Sequence, residues 1–224
     1  IAAAFGMASI LSVLVLGDES GYEIGDLQKV KLAAIEAEWE TEEAPAAFTV
    51  IGLPNQEEMR TDYAIKIPYV MGIIATRSLD KQVTGLKDLV GEHEARIRNG
   101  MQAYGLLSKL QAGDKSEETI KQFNAVKQDL GFGLLLAPYT ATITDATEEQ
   151  IKLAAKDSIP QVAPVFFAFR IMVGVGMLML LLIGLAFYDS TRHRIGQRKW
   201  LLKALLWGIP LPWIAIECGW FVAE

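Results

Sequence analysis

The chain has 224 residues, a net charge of −6 and 51% hydrophobic residues, and its acidic balance without a basic stripe disfavours nucleic acid as a partner. Its one cysteine, Cys218, excludes an intramolecular disulfide. Hydrophobic residues concentrate in residues 1–17 and about 165–223, whereas the middle of the chain is rich in charge. This distribution is typical of a membrane protein with a large polar insertion.

Residues 1–17 form an uncharged apolar run that lacks a basic segment, which favours a truncated transmembrane helix over a signal peptide. We expect further residues upstream of this run, and also downstream of Glu224, where the chain stops after another apolar run. The first helix is predicted to end at Gly17-Asp18. A second, amphipathic helix is predicted over residues 25–41, which are rich in Ala, Leu, Glu and Lys.

Residues 18–164 are predicted to form one large, mainly helical insertion. Within it, residues 47–53 are either a short strand or an extended segment, and residues 61–77 are expected to lie against the membrane or a neighbouring subunit. Helices are predicted over residues 86–111, over residues 116–130 before Gly131 and Gly133, and from a Thr147–Gln150 capping box to Asp157.

Two further transmembrane helices are predicted over residues 165–188 and 201–224, the second truncated after Glu224 and kinked by its prolines. The short loop of residues 189–200 between them is basic, and such loops lie on the cytoplasmic side. The insertion is therefore expected on the opposite, periplasmic side. The basic residues of this region are Arg192, Arg194, Arg198, Lys199 and, just beyond the loop, Lys203.

Several side chains in or beside the apolar segments have two interpretations each. Arg170 is a functional group inside the membrane or a residue whose charge reaches the nearby interface. Met172 is an ordinary gap-filling side chain or a haem axial ligand, since a thioether can bind haem iron. Glu224 marks the end of a helix, binds a metal or carries a proton.

Lys31 and Glu36 are five residues apart, about 140° around an ideal helix. That spacing fits a solvated helix surface, or contacts with opposite ends of a flat ligand. The two histidines, His93 and His193, lie outside the predicted spans. The chain by itself therefore offers no bis-histidine haem site.

Five motifs of the chain are distinctive when taken together. They are Gly-Asp-Glu-Ser-Gly-Tyr-Glu at 17–23, Lys-Leu-Ala-Ala-Ile-Glu-Ala-Glu-Trp-Glu at 31–40, Gly-Ile-Ile-Ala-Thr-Arg-Ser at 72–78, Phe-Ala-Phe-Arg-Ile-Met at 167–172 and Gly-Trp-Phe-Val-Ala-Glu at 219–224. With these motifs the chain resembles subunit I of the cytochrome bd ubiquinol oxidases, in the form with a long quinol-binding loop (Q-loop).

The resemblance implies an all-α membrane subunit of a terminal respiratory oxidase in the bacterial inner membrane. Such an enzyme oxidises quinol at the periplasmic loop and reduces dioxygen to water. It uses a low-spin haem b, a high-spin haem b and a haem d. The implied partners are subunit II, small single-helix accessory subunits, quinol and the lipid bilayer.

The resemblance also implies roles for individual residues. Lys31 and Glu36 match the quinol site, with Glu36 as the proton acceptor. Met172 matches the methionine ligand of the low-spin haem b, and Arg170 the arginine beside that haem. At the end of the chain, Glu224 matches the glutamate ligand of the high-spin haem b and Trp220 an aromatic residue near the haems. The histidine ligands are expected outside this chain.

A non-enzymatic membrane protein with a periplasmic sensing or docking domain is the alternative function. It explains the topology equally well, because an apolar span beside a polar insertion implies no chemistry by itself. It leaves the combination of Arg170, Met172 and Glu224 without a reason.

Overall fold

Helices form most of the chain in the computed structural model, which describes residues 1–78 and 80–224, with the side chains of all of these except Ile24, Asp26, Ala75 and Thr76. The helices are α1 (Ala2–Leu27), α2 (Lys29–Glu36), α3 (Leu86–Gln111), α4 (Glu117–Val126), α5 (Leu130–Leu134), α6 (Glu148–Asp157), α7 (Val162–Thr191), α8 (Lys199–Trp207) and α9 (Leu211–Ala223). A π-helical turn covers Gly72–Thr76, and the strands are β1 (Phe48–Asn55) and β2 (Arg60–Ile67). The predicted all-α membrane class is confirmed, with this hairpin added.

Three helical stretches of the described chain are long and apolar enough to cross a membrane: Ala2–Glu23, Glu148–Thr191 and Lys199–Ala223. The second stretch contains α6 and α7, and α7 holds its uninterrupted apolar sequence. The chain also divides into two compact units. We call residues 1–38, 42–83 and 161–224 the membrane unit, and residues 39–41 and 84–160 the insertion unit.

The first helix is longer than predicted, because α1 continues past Gly17 to Leu27. Arg77 stabilises this polar extension by donating hydrogen bonds to Asp18 and Glu19 at 2.8 and 2.7 Å. Its guanidinium also stacks 4.5 Å from the ring of Tyr22. The helix predicted over residues 25–41 is confirmed only in part: it is interrupted at Gln28, whose φ of −127° is non-helical, and α2 ends at Glu36.

The helix predicted over residues 165–188 is confirmed and longer, as α7. Pro164 lies in its first turn, where a missing N–H costs no hydrogen bond. The final predicted span is divided into α8 and α9, with the break at Gly208 to Pro210. Pro212 then occupies the first turn of α9, so the prolines produce a break between two helices, a stronger effect than the predicted kink.

A β-hairpin begins in the predicted strand or extended segment of residues 47–53 and continues to Ile67. The strands β1 and β2 pair antiparallel, with Phe48 opposite Ile67 and Asn55 opposite Arg60. Two register shifts interrupt the pairing, on either side of Ile51, and such bulges bend and twist a strand pair. Of the two alternatives for residues 47–53, the short strand is confirmed as β1, whereas β2 was not predicted.

Two apolar clusters hold α2, α7, α8 and α9 in the membrane unit. Ile35, Val165 and Val222 pack together and join α2 to α7 and α9. Leu182 and Leu201 belong to a second cluster, which joins α7 to α8. The first cluster fixes where the end of α2 lies on the two membrane helices.

The insertion unit has its own core, and two of its three helical predictions are confirmed, whereas the helix predicted over residues 116–130 ends at Val126 as α4. The helix α3 spans Leu86–Gln111 as predicted, and Thr147 with Gln150 forms the predicted capping box of α6. The predicted stop at Gly131 and Gly133 was wrong, because α5 runs through both glycines. A Cβ on Gly133 would lie 2.5 Å from the backbone of Gly100, so these glycines permit α3 and α5 to cross closely.

Candidate functional site

The site centres on a buried ion pair between α2 and α7. Glu36, the last residue of α2, is 4% exposed. Its Oε2 accepts a hydrogen bond from Nη2 of Arg170 at 2.9 Å. The Arg170 side chain is itself 14% exposed. The sequence placed both residues among the candidates but did not predict that they contact each other.

The end of α2 explains how Glu36 and Arg170 meet. Ala37 adopts the left-handed conformation at φ 51° and ψ 41°. The N–H groups of Ala37 and Glu38 donate to the carbonyls of Ala34 and Ala33 at 3.1 and 2.9 Å, which is a Schellman motif without glycine. The carbonyl of Ile35, in the same last turn, accepts a hydrogen bond from Nη1 of Arg170. A side chain of α7 therefore satisfies a carbonyl at the end of α2.

Arg170 also binds the hairpin, so one guanidinium joins three elements. Its Nε donates to the carbonyl of Thr49 in β1 at 3.2 Å, and Nη2 contacts the same carbonyl. The ring of Phe166 lies 3.5 Å and that of Phe48 5.3 Å from the guanidinium carbon. A planar, five-donor cation suits this role, because it makes several hydrogen bonds while its faces stack on aromatic rings.

Burial changes the acidity of Glu36. It raises the pKa of this carboxyl to about 7, and the charge and hydrogen bond of Arg170 offset only part of the increase. A carboxyl with a pKa near neutrality is suited to accepting and releasing protons at physiological pH. Glu36 therefore has the chemical properties of a general base.

A second buried carboxyl follows two residues later. Glu38 is 7% exposed, and its Oε2 lies 3.4 Å from the ammonium nitrogen of Lys66 in β2. Burial raises the pKa of Glu38 to about 7; Lys66 lowers it, whereas Glu42 and Glu36 raise it further. Lys66 also contacts the carboxylate of Glu42. Sequence reasoning missed Glu38 and Lys66, because neither has a distinctive spacing and β2 was not predicted.

Lys31 points away from Glu36 and reaches the end of α9. Its ammonium group donates a hydrogen bond to the backbone carbonyl of Ala223, next to Glu224. A cation is favourable there, because the last carbonyls of a helix lack partners and carry partial negative charge. The two predicted quinol-site residues therefore lie on one short helix but contact different membrane helices, as their 140° separation implies.

The predicted haem-side residues lie on α7 and α9. The Met172 sulfur faces Gly219, where an added Cβ would lie 3.0 Å from it, and Gly176, one turn further along α7, has open space around it. Trp220 is 64% exposed and Glu224 is also exposed at the end of α9. A thioether can bind haem iron, so Met172 is the side chain of α7 that would hold a haem.

The histidines do not join these residues in any described contact. His93 lies in the insertion unit, where its Nδ1 is 2.6 Å from Oγ of Ser158. Burial, with the nearby charge of Arg96, lowers the pKa of His93. Within residues 1–78 and 80–224, groups of three or more His, Cys, Asp or Glu that could hold a bare metal ion are absent. The contact with Ser158 gives His93 a structural role in the insertion unit.

Comparison with known proteins supplies the family. The model described as "Cytochrome bd terminal oxidase subunit I" matches residues 1–224. The chain belongs to this family. It is 46% identical over 224 residues to cytochrome bd-II ubiquinol oxidase subunit 1 of Escherichia coli (strain K12), a match that covers 100% of this chain and 44% of that relative. It is 23% identical over 219 residues to cytochrome bd ubiquinol oxidase subunit 1 of Bacillus subtilis (strain 168), covering 98% of this chain and 35% of the relative.

Family membership confirms the resemblance read from the motifs. The chain spans less than half the length of these two relatives. Both are named as ubiquinol oxidase subunits. The chain is thus a member of the cytochrome bd subunit I family, with three candidate membrane helices among its described residues and a large insertion.

Proposed function

We propose that this chain is the quinol-oxidising portion of a cytochrome bd terminal oxidase subunit I, acting with subunit II in a quinol:oxygen oxidoreductase. The observation that carries the proposal is the ion pair between Glu36 and Arg170. It joins a carboxyl suited to proton transfer to the helix that also carries Met172. Oxidation of a quinol requires a base that accepts its protons and a cofactor that accepts its electrons.

Lys31 and Glu36 bind the quinol headgroup and act on it. The Glu36 carboxylate accepts a hydroxyl proton from quinol, because its pKa of about 7 allows it to be ionised before transfer and protonated after it. The Lys31 ammonium donates a hydrogen bond to a quinol oxygen in exchange for its contact with the Ala223 carbonyl. Arg170 fixes the Glu36 side chain, so the base is held in place before the substrate arrives.

Met172 would hold the low-spin haem b and Glu224 the high-spin haem b, with Arg170 and Trp220 beside the cofactors. Bound haem supplies one-electron acceptance at a potential that a thioether ligand raises. The positive charge of Arg170, two residues before Met172, favours the added electron. Haem d would be the third cofactor of the complex.

The insertion of residues 18–164 lies on the periplasmic side of the bacterial inner membrane in this proposal. The basic residues between α7 and α8 support it, since short loops rich in Lys and Arg remain in the cytoplasm. The one acid beside these basic residues, Asp189, is 1% exposed and lies 2.9 Å from Arg198, so the loop exposes mainly positive charge. Protons taken from quinol are then released outside the cell membrane.

The experiment uses the full-length oxidase complex with Lys31→Ala and Glu36→Gln. Both variants are expected to slow quinol oxidation, by about a hundredfold or more for the base, while the visible haem spectrum stays unchanged. Normal quinol turnover in both variants contradicts the quinol site. Absence of haem signals in the unmodified complex supports instead the alternative of a sensing or docking protein.

The haem assignment has a matched pair of substitutions on one helix. Met172→Leu is expected to abolish or shift the low-spin haem b absorption, because leucine cannot bind iron. Met177→Leu is the control, since Met177 lies on α7 with 58% of its surface exposed. An unchanged spectrum in Met172→Leu removes the ligand assignment and leaves the quinol site standing.

A further inference from the structure

A buried carboxyl that the proposed function does not use lies beside the proposed base. The side chain of Glu38 is 9% exposed, against 5% for Glu36. Burial of a carboxyl is costly unless the group is paired or serves a purpose that needs it. Glu38 meets this condition through Lys66 at 3.4 Å, whereas the Glu40 side chain in the same loop is 77% exposed to water.

Exposure increases along a series of acids that starts at Glu36. The exposed fractions of the side chains are 5% for Glu36, 9% for Glu38 and 28% for Glu42. Lys66, which is 36% exposed, contacts the carboxylates of both Glu38 and Glu42. The other Glu42 oxygen accepts a hydrogen bond from the Ala47 N–H at 3.0 Å, which fixes it in place. The series thus leads from a buried group to one in contact with water.

The hairpin aligns both ends of the series. Thr49 and Lys66 are opposite each other in the pairing of β1 with β2. The carbonyl of Thr49 accepts from Arg170, which holds Glu36, while the side chain of Lys66 holds Glu38. One pair of facing strand residues therefore positions two carboxyls, and all of these residues belong to the membrane unit.

We propose that Glu38 is a proton-relay residue, which takes the proton from Glu36 and passes it to Glu42 and the aqueous surface, while the Lys66 ammonium holds the carboxyls of Glu38 and Glu42 close together. The inference rests on the proposed function. An O–H bond breaks at the quinol and forms at Glu36, and the same proton then moves to Glu38 and Glu42. Each carboxyl returns to its anionic form when it passes the proton on, and it can then accept the second proton. The two electrons of the quinol would be taken up by the haem that Met172 would hold in the proposed function.

The charges that face Glu38 suit such a relay. They are the ammonium of Lys66 and the carboxylates of Glu42 and Glu36. Because the pKa of Glu36 and the pKa of Glu38 both rise to about 7, a proton moves between them with little change in free energy. Lys66 keeps the pKa of Glu38 from rising further, which allows Glu38 to give the proton up.

The test is Glu38→Gln in the full-length oxidase complex, with Glu40→Gln as the matched control. The kcat for quinol oxidation is expected to fall at least about tenfold in Glu38→Gln, with the KM for quinol and the haem spectrum unchanged. Added imidazole, a small diffusible base, is expected to restore part of the rate. Glu40, whose side chain is 77% exposed and paired with Lys87, should tolerate the change with normal activity.

Each outcome decides between the relay and the proposed function. Normal kcat in Glu38→Gln together with a loss in Glu36→Gln overturns the relay and leaves the proposed function intact. Normal kcat in both variants overturns the two together. A loss that imidazole does not restore, accompanied by a changed KM, shows a positioning role and also overturns the relay.

A second variant covers the case in which Glu38→Gln does not assemble. Lys66→Met removes the cation that lowers the pKa of Glu38, so Glu38 remains protonated up to a higher pH. The acid limb of the pH–rate profile is then expected to move to higher pH. An unchanged profile in Lys66→Met overturns the relay.

Discussion

Glu36 and Glu40 are four residues apart and each is paired with a cation, yet their acidities move in opposite directions. Glu36 pairs with Arg170 at 2.9 Å, and burial raises its pKa to about 7. Glu40 pairs with Lys87 at 2.7 Å, and the hydrogen bond from Lys87, with its charge, lowers the pKa of Glu40. The comparison teaches that burial decides the acidity here, since the pairing distances are similar. Four predictions test it.

The largest effect is expected for Arg170→Leu. The change leaves the carboxylate of Glu36 buried without its partner and removes donors to the carbonyls of Ile35 and Thr49. Such a loss destabilises a protein by about 3–5 kcal/mol. The thermal unfolding midpoint of the full-length complex measures it. If Arg170→Leu and Glu36→Gln/Arg170→Leu unfold at the same temperature, the unpaired charge is not the cause.

The next largest effect is a pH dependence of stability. The pKa of Glu36 rises from 4.5 to about 7 on folding, so the folded protein holds an additional proton between these values. Stability from this group is therefore complete below about pH 4.5 and is lost as the pH rises through about 7, by roughly 3 kcal/mol at most. Unfolding midpoints of the full-length complex from about pH 5 to about pH 8 measure the loss.

The variant for this measurement is Glu36→Gln, which should flatten the dependence. Glu38→Gln is expected to flatten it separately, because the pKa of Glu38 also rises to about 7. An unmodified complex whose stability increases with pH over the same range contradicts the buried, proton-holding state of both groups.

A smaller effect is expected in the insertion unit, where local hydrogen bonds replace buried charge. Thr147→Ala removes the side chain that accepts from the Gln150 N–H at 3.3 Å and opens the capping box of α6. The loss of such a cap costs about 1 kcal/mol. Hydrogen exchange of the α6 amides in the full-length protein should accelerate accordingly. Ser108→Ala, on the exposed side of α3, is the control and should leave α6 unchanged.

The smallest effect is expected for Lys87→Met. Its partner Glu40 is exposed to water, which already solvates the carboxylate, so the ion pair adds little. No measurable change in the unfolding midpoint of the full-length complex is expected at physiological salt. A loss of stability comparable to that of Arg170→Leu would show that the ion pair contributes equally at both sites and that burial does not distinguish them.

The sequence predicted the elements whose signals are local. The periodicity of α3, the capping box of Thr147 and the apolar length of α7 each act within a few turns, and all three are confirmed. The continuation of α1 past Gly17 was missed, because Arg77, about sixty residues later, stabilises it. Of the hairpin, only β1 was predicted. The strand β2 was missed for a similar reason, because it depends on its pairing with β1.

The candidate site divides in the same way. The residue types at Lys31, Glu36, Arg170 and Met172 and their resemblance to the family singled them out. The contact between Glu36 and Arg170 depends on the left-handed turn at Ala37. The sequence does not predict this turn, because the position holds alanine and not the glycine that usually adopts this conformation. Glu38 stands among several acids in one short stretch, and only its burial distinguishes it from Glu40.

The two attachments of α2 have a consequence for how this family can vary. Lys31 holds the end of α9 and Glu36 holds α7, and both contacts lie within the membrane unit. The insertion unit supplies none of these groups, and lengthening a loop carries only a small entropic cost. Evolution or engineering can therefore shorten or exchange residues 84–160 while the contacts of Lys31 with α9 and of Glu36 with Arg170 are kept.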